Sequence, residues 1–158
     1  MVGTAEFVER WQDFGSSAVA ELRAIPAAAW QRPSGYEGWT AHDLLAHLSS
    51  TQQATSRLVE SAFAESPSGP AEPFDENRWN ASQVRRRRDL PEQDLIEELR
   101  GGAAELVRTV QSRVLVAADL HRPVPAGAGR GRPLHEVLQE LLDHQGHHLS
   151  DLLNAVRE

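Results

Sequence analysis

The sequence predicts an all-α protein, a four-helix up-down bundle, on three observations. Apolar residues recur at spacings of three and four over long segments, as one face of an α-helix requires. No stretch between turn signals alternates apolar and polar residues as a half-buried strand would, and connections rich in proline and glycine separate the helical segments. Helices with one apolar stripe each must bury those stripes against one another, and a bundle is the simplest arrangement that does so.

The first helix is expected from about Thr4 to Arg23, where Phe7, Trp11, Phe14, Ala18 and Leu22 form one stripe and Pro26 marks the end. Residues 25 to 38 carry Pro26, Pro33, Gly35 and Gly38 and read as a connection with one short turn around Ala27 to Trp30. Thr40 is a good N-cap for a second helix, and Asp43 places a negative charge in its first turn. The inner stripe of that helix runs Leu44, His47 or Leu48, Thr51, Thr55, Leu58 and Ala62. From Glu65 to Asn77 prolines and small polar residues predict a long loop. Helical pattern resumes near Arg78 and is split at Asp89-Leu90-Pro91, because proline suits a helix's first turn and not its interior. Leu95, Leu99, Ala103, Leu106, Val110 and Val114 then predict a helix from about Glu92 to Val116, with Gly101-Gly102 marking close packing or a bend. Residues 121 to 133 form a second loop to which no structure is assigned, and the last helix begins near Leu134 with Leu138, Leu141, Gln145, His148 and Leu152 facing inward. No internal repeat is read from the sequence.

The chain has 158 residues, consistent with one domain over 1 to 158, since single domains commonly hold about 100 to 200 residues. Sixteen Lys and Arg against 23 Asp and Glu give a net charge of −7, which argues against a general nucleic-acid-binding surface. There is no cysteine, so disulfides are excluded and any thiol chemistry must use a thiol brought in by a small molecule. The N-terminus lacks a basic leader with an apolar core, and no run approaches the roughly 18 apolar residues of a membrane helix, so a cytoplasmic location is expected.

Histidine placement carries the functional argument. Three of the seven histidines fall within Asp143-His144-Gln145-Gly146-His147-His148, in an otherwise leucine-rich helix where an unpaired imidazole carries a desolvation cost. His144 and His148, four residues apart, lie on one helix face and can share one metal ion. His47 stands in the seam of the second helix where a leucine would be expected and is the candidate third ligand. Three imidazoles leave an open position for water or substrate, and bound zinc can lower the pKa of that water to about 7. Nickel or iron would accept the same ligands. Glu140, Asp143 and Asp151 are the nearest carboxylates able to orient the free ring nitrogens, and His147, about 60° off the seam at 3.6 residues per turn, is a neighbour rather than a ligand. On spacing alone, the competing reading is a set of partly buried, hydrogen-bonded histidines with no metal.

Gly38-Trp39-Thr40 followed by Asp43-Leu44-Leu45-Ala46-His47-Leu48, and His144-Gln145-Gly146-His147-His148, resemble signatures of the DinB-like superfamily, in the branch of the mycothiol-dependent maleylpyruvate isomerase N-terminal domains. Trp79-Asn80 is similar to the family as well, and the resemblance covers essentially the whole chain. It implies a four-helix bundle, often a homodimer, binding a divalent metal through three histidines that map onto His47, His144 and His148. It also implies an enzyme of the thiol transferase or isomerase type, in which an external low-molecular-weight thiol attacks a small electrophilic substrate. The family often follows the last histidine with Arg-Gly-Gln; here Leu149-Ser150-Asp151 stands in its place, which leaves the substrate open. A metal-dependent hydrolase and a non-catalytic metal-binding stress or sequestration protein are the alternatives.

Arg85 to Arg88 are four consecutive residues that sweep most of the way round a helix, so a solvated helix end is the plainer reading. In the functional version Arg85 or Arg88, with Arg130 or Arg132, grips a carboxylate or phosphate on the substrate or thiol. Gly127-Ala128-Gly129-Arg130-Gly131 is not a phosphate loop, having neither the preceding strand nor the Gly-Lys-Ser/Thr ending. The four tryptophans read as core and junction packing.

Overall fold

The computed structural model describes residues 3 to 36, 38 to 64, 74 to 127 and 129 to 157. Five α-helices occur in it: α1 (Thr4–Arg23), α2 (Ala41–Ala62), α3 (Glu76–Arg86), α4 (Glu92–Arg113) and α5 (Leu134–Arg157). The described residues contain no strand, only two isolated β-bridges. The four long helices form the bundle and α3 packs on α2.

Local chemistry explains the boundaries. Thr40 caps α2 in a full capping box, its hydroxyl accepting from the Asp43 N–H at 3.2 Å while the Asp43 carboxylate accepts from the Thr40 N–H at 3.1 Å. Asp75 caps α3 by accepting from the Arg78 N–H, so that helix starts slightly earlier than its apolar pattern suggests. The split at Pro91 is present, between the end of α3 at Arg86 and the start of α4 at Glu92. α4 stops at Arg113, short of the expected Val116, because the Asp119 carboxylate takes the N–H groups of Leu115 and Val116 at 2.9 and 3.1 Å, and a 3-10 turn follows over Ala117–His121. Much of the predicted loop from 65 to 77 lies outside the described residues.

Cross-helix pairs give the direction of each helix. Ser49 with Leu95, Gln52 with Gly102 and Glu60 with Arg113 rise together, so α2 and α4 run parallel. Arg23 with Glu97 and Gly15 with Ala103 set α1 antiparallel to α4, and Gln52 with Gln145 and His47 with His148 set α5 antiparallel to α2. The order is up, down, down, up. Direction alternates within α1–α2 and within α4–α5, while the connection carrying α3 returns the chain so that α4 restarts parallel to α2. α1 lies diagonally across from α2, and α4 from α5.

The two pairs repeat one plan, although no repeat is expected from the sequence. In each, a long helix is followed by a five-residue 3-10 turn, an Arg-Pro step, a glycine-containing turn closed by a single antiparallel bridge, and a second long helix. Ala41 N–H donates to the Arg32 carbonyl at 2.8 Å, and Leu134 N–H donates to the Arg122 carbonyl at the same distance. The described residues of the 121 to 133 segment, unassigned from sequence, are thus a structured counterpart of those described between 31 and 40. His42 and His135 occupy matching places, each bonded to a backbone carbonyl, of Leu90 and Leu120 respectively. Gln52 and Gln145 match as well, and bond to each other at 2.9 Å in the bundle interior. The repeat escapes composition and periodicity because it rests on a few scattered identities around a loop of different length.

The core divides into two apolar clusters. One, around Leu44, Leu48, Leu95, Leu99 and Leu152, lies toward the start of α2; the other, around Phe7, Trp11, Leu106, Leu134 and Leu138, lies toward its end. The buried glutamine pair and the histidines sit among them.

Candidate metal centre

His47 on α2 and His144 and His148 on α5 converge because those helices are antiparallel neighbours. One nitrogen from each ring can be chosen so that all three lie within 4.8 Å of one another. His144 Nε2 and His148 Nε2 are 2.8 Å apart, and the His47 and His148 rings meet edge to face with centroids 4.8 Å apart. His47 and His148 are buried, whereas His144 is exposed. Trp39 stacks obliquely on His47 at 5.5 Å between centroids.

Electrostatics hold the two buried rings, His47 and His148, uncharged. Burial, then the neighbouring His148 and His144, pushes the His47 imidazolium pKa down to about 4. Burial, then His144, pushes His148 down to about 4, with Asp151 partly opposing. Neutral imidazoles are the protonation state a metal requires. His47 makes no side-chain hydrogen bond among the described residues, and its buried Nδ1 is left without a partner. A buried imidazole unsupported by the protein, beside two others presenting nitrogens to the same point, fits a divalent cation better than it fits a packing role.

The depressed pKa values predict a pH dependence of the metal-free fold. Between pH 6.5 and about 4 the unfolded chain binds protons at His47 that the folded chain does not, so stability should fall as pH drops through that window. Urea denaturation of metal-free protein at pH 7 and pH 5 checks this, with a shallower pH slope expected for His47→Gln.

The cluster opens onto a cavity of about 540 Å³ between α2, α3, α5 and the 122 to 133 connection, with His47 and His144 on its wall. Thr51, Thr55, Leu58, Trp79 and Leu141 line much of the rest. Of the arginines expected to grip an anion, Arg132 lines this cavity but is engaged by Glu140 and Glu136; Arg85, Arg88 and Arg130 are not among its lining residues. Arg88 lies 4.0 Å from Asp43, and the adjacent Arg87 is clamped by Glu98 in a two-pronged ion pair. The cation that sequence reasoning missed is Arg57, which lines the cavity and has no ion-pair or hydrogen-bond partner among the described residues. Its place on the outer face of α2 does not single it out in the sequence, because any exposed helical arginine gives the same signal.

Among the candidates for orienting the rings, Glu140 lines the cavity and is held by Arg132. Asp143 and His147 face the α1 side instead, Asp143 accepting from Gln139 and lying 3.6 Å from Arg10, and His147 bonding the Asp143 carbonyl. Asp151 reaches the cluster through an intermediary that the sequence does not point to: the Tyr36 hydroxyl donates to Asp151 Oδ2 at 2.8 Å and lies 3.0 Å from His148 Nδ1.

The helix order and the three gathered imidazoles define a DinB-like four-helix bundle. The chain belongs to the mycothiol maleylpyruvate isomerase N-terminal domain family, whose profile matches residues 11 to 145. His47 and His144 fall inside that match and His148 just beyond it. Among solved structures, the chain is similar to YfiT from Bacillus subtilis, described as a probable metal-dependent hydrolase with an unusual four-helix bundle topology, at 17% identity and a TM-score of 0.74, covering 98% of this chain and 86% of that one. It is also similar to a mycothiol-dependent maleylpyruvate isomerase at 20% identity and a TM-score of 0.73, covering 95% of this chain but 60% of that one. A histidine-to-alanine mutant of that isomerase matches equally. No curated protein sequence matches the chain. No described helix is long and apolar enough to cross a membrane.

Proposed function

We propose that His47, His144 and His148 hold a divalent metal, zinc in the first instance, and that the protein is a metal-dependent enzyme joining an external low-molecular-weight thiol to a small electrophilic, anionic substrate. The observation that carries this reading is the convergence of three histidines at the wall of a cavity large enough for a small molecule. Three protein ligands leave room for an exogenous one, as catalytic sites do and closed structural sites do not. The ion would act as a Lewis acid, lowering the pKa of a thiol or water. Because the chain has no cysteine, the sulfur must come from a second molecule. The thiol would lose its proton to solvent as sulfur bonds to one carbon of the substrate's double bond, and the π electron pair released to the neighbouring carbon would take a proton from solvent, a net addition of S–H across the double bond. The residues of the chain bind and orient: Trp79, Leu58 and Leu141 shed water from the cavity, and Arg57 offers its guanidinium to a carboxylate.

Zinc-loaded, tag-free protein incubated with a thiol and an unsaturated carboxylic acid should consume the thiol faster than metal-free protein does. Arg57→Gln should raise KM for the carboxylate substrate by about 10-fold or more with kcat little changed, the pattern of lost uniform binding. The description of YfiT favours a second reading, hydrolysis by water at the same site. Turnover of activated esters without thiol, and no thiol consumption, would select it.

A further inference from the structure

We propose that Tyr36 is a positioning residue that fixes the tautomer and orientation of His148, with Asp151 acting through it. The proposal deepens the metal-centre reading and rests on it for its affinity test. An ionised carboxylate only accepts, so the 2.8 Å contact must have the Tyr36 O–H donating to Asp151 Oδ2. The Tyr36 oxygen then has only lone pairs to offer His148 Nδ1 at 3.0 Å, so Nδ1 must carry the proton. A neutral His148 with its proton on Nδ1 has its lone pair on Nε2, the nitrogen that faces His144 Nε2 at 2.8 Å. Without this chain of bonds the ring could place its proton on either nitrogen, and the tautomer protonated on Nε2 would be unfit to bind an ion there.

The turn that delivers Tyr36 is built for the purpose. Gly35 and Gly38 have φ of 90° and 77°, a left-handed conformation in which a side chain is strained. The turn is closed by the Pro33–Thr40 bridge, and the Trp39 carbonyl accepts from both the N–H and the hydroxyl of Ser34 at 3.0 and 2.9 Å. It also packs Tyr36 against the His148 ring at 5.3 Å while Trp39 covers His47. A single short turn therefore supports two of the three histidines. Tyr36 and Asp151 together resemble the carboxylate partners that commonly orient metal-bound imidazoles, with a phenol inserted between carboxylate and ring. Tyr36 ionises with difficulty, burial and then Asp151 raising its pKa to about 12, so the phenol keeps its proton at neutral pH.

The test uses the full, tag-free chain as wild type, Tyr36→Phe, Asp151→Ala and the double variant. Zinc affinity is measured by competition with a chromogenic chelator, and melting confirms that each variant is folded. Tyr36→Phe should weaken zinc binding by about 10- to 100-fold, the usual effect of losing such a partner. Asp151→Ala should weaken it in the wild type yet add nothing in the Tyr36→Phe background, since its influence passes through the phenol. Unchanged affinity in Tyr36→Phe, or independent additive losses, would overturn the proposal. A second readout needs no metal: ¹⁵N NMR of the His148 ring in the metal-free protein should show the Nδ1–H tautomer, and a mixture in Tyr36→Phe. Absence of zinc binding by the wild type would refute the metal centre, while the NMR comparison would still decide the role of Tyr36.

Discussion

Replacing His47, His144 or His148 by alanine is expected to lower zinc affinity by more than about 100-fold, because losing even an outer partner of a metal-bound imidazole typically costs about 10- to 100-fold. A ligand lost outright costs more, as only two protein donors remain where a catalytic zinc site has three. The controls are chosen from the structure. His121 belongs to a separate pair with His135, and His147 points toward α1, so alanine at either position should leave zinc binding unchanged. Elemental analysis of tag-free protein after zinc reconstitution, followed by chelator competition, measures both sets. Equal loading of all five variants and the wild type would reduce the cluster to three packed histidines.

That the cluster could be anticipated follows from one anomaly. His47 stands in the inward-facing stripe of α2 where a leucine would be expected, and a buried imidazole there requires compensation from somewhere. His144 and His148 share a face by the geometry of the helix alone. The bundle itself was legible for the same reason, since the long helices announce themselves through apolar periodicity, Thr40 and Pro91. What was not legible depends on contacts between residues far apart in the chain. Tyr36 lies 112 residues from His148, in a turn whose local signals, Pro33 and a pair of glycines, say nothing of a distant histidine. Arg57 becomes distinctive only when its neighbours form a cavity wall. The parallel course of α2 and α4 is likewise set by the long connection between them, and the periodicity of each helix is indifferent to its direction. Gln52 and Gln145 read as two unremarkable polar residues until the helices are brought together.

The two adjacent glycines of α4 should respond in opposite directions to the same substitution. Gly101→Ala adds a methyl where nothing lies within 4 Å, and removing a mid-helix glycine should stabilise the protein by about 0.5 to 1 kcal/mol. Gly102→Ala carries the same helical benefit, but its Cβ would meet Gln52 Cβ at 2.6 Å. The obstructing atom is attached directly to the α2 backbone, so a rotamer change cannot clear it and α2 itself must move away from α4. Overpacking of this kind costs about 1 to 3 kcal/mol, enough to outweigh the gain. For a chain of this size each kcal/mol shifts the melting temperature by about 2 to 4 °C, so Gly101→Ala should melt higher than wild type and Gly102→Ala lower. The consequence reaches the site, because Gln52 bonds Gln145, the neighbour of His144, and α2 carries His47 little more than one turn away. Displacing α2 would alter the spacing between His47 and the α5 histidines, and zinc affinity should fall in Gly102→Ala while remaining at the wild-type value in Gly101→Ala. Thermal melting and chelator competition on the same two proteins check both halves of the argument, and a Gly102→Ala protein as stable as Gly101→Ala would show that α2 and α4 are less closely seated than the structure has them.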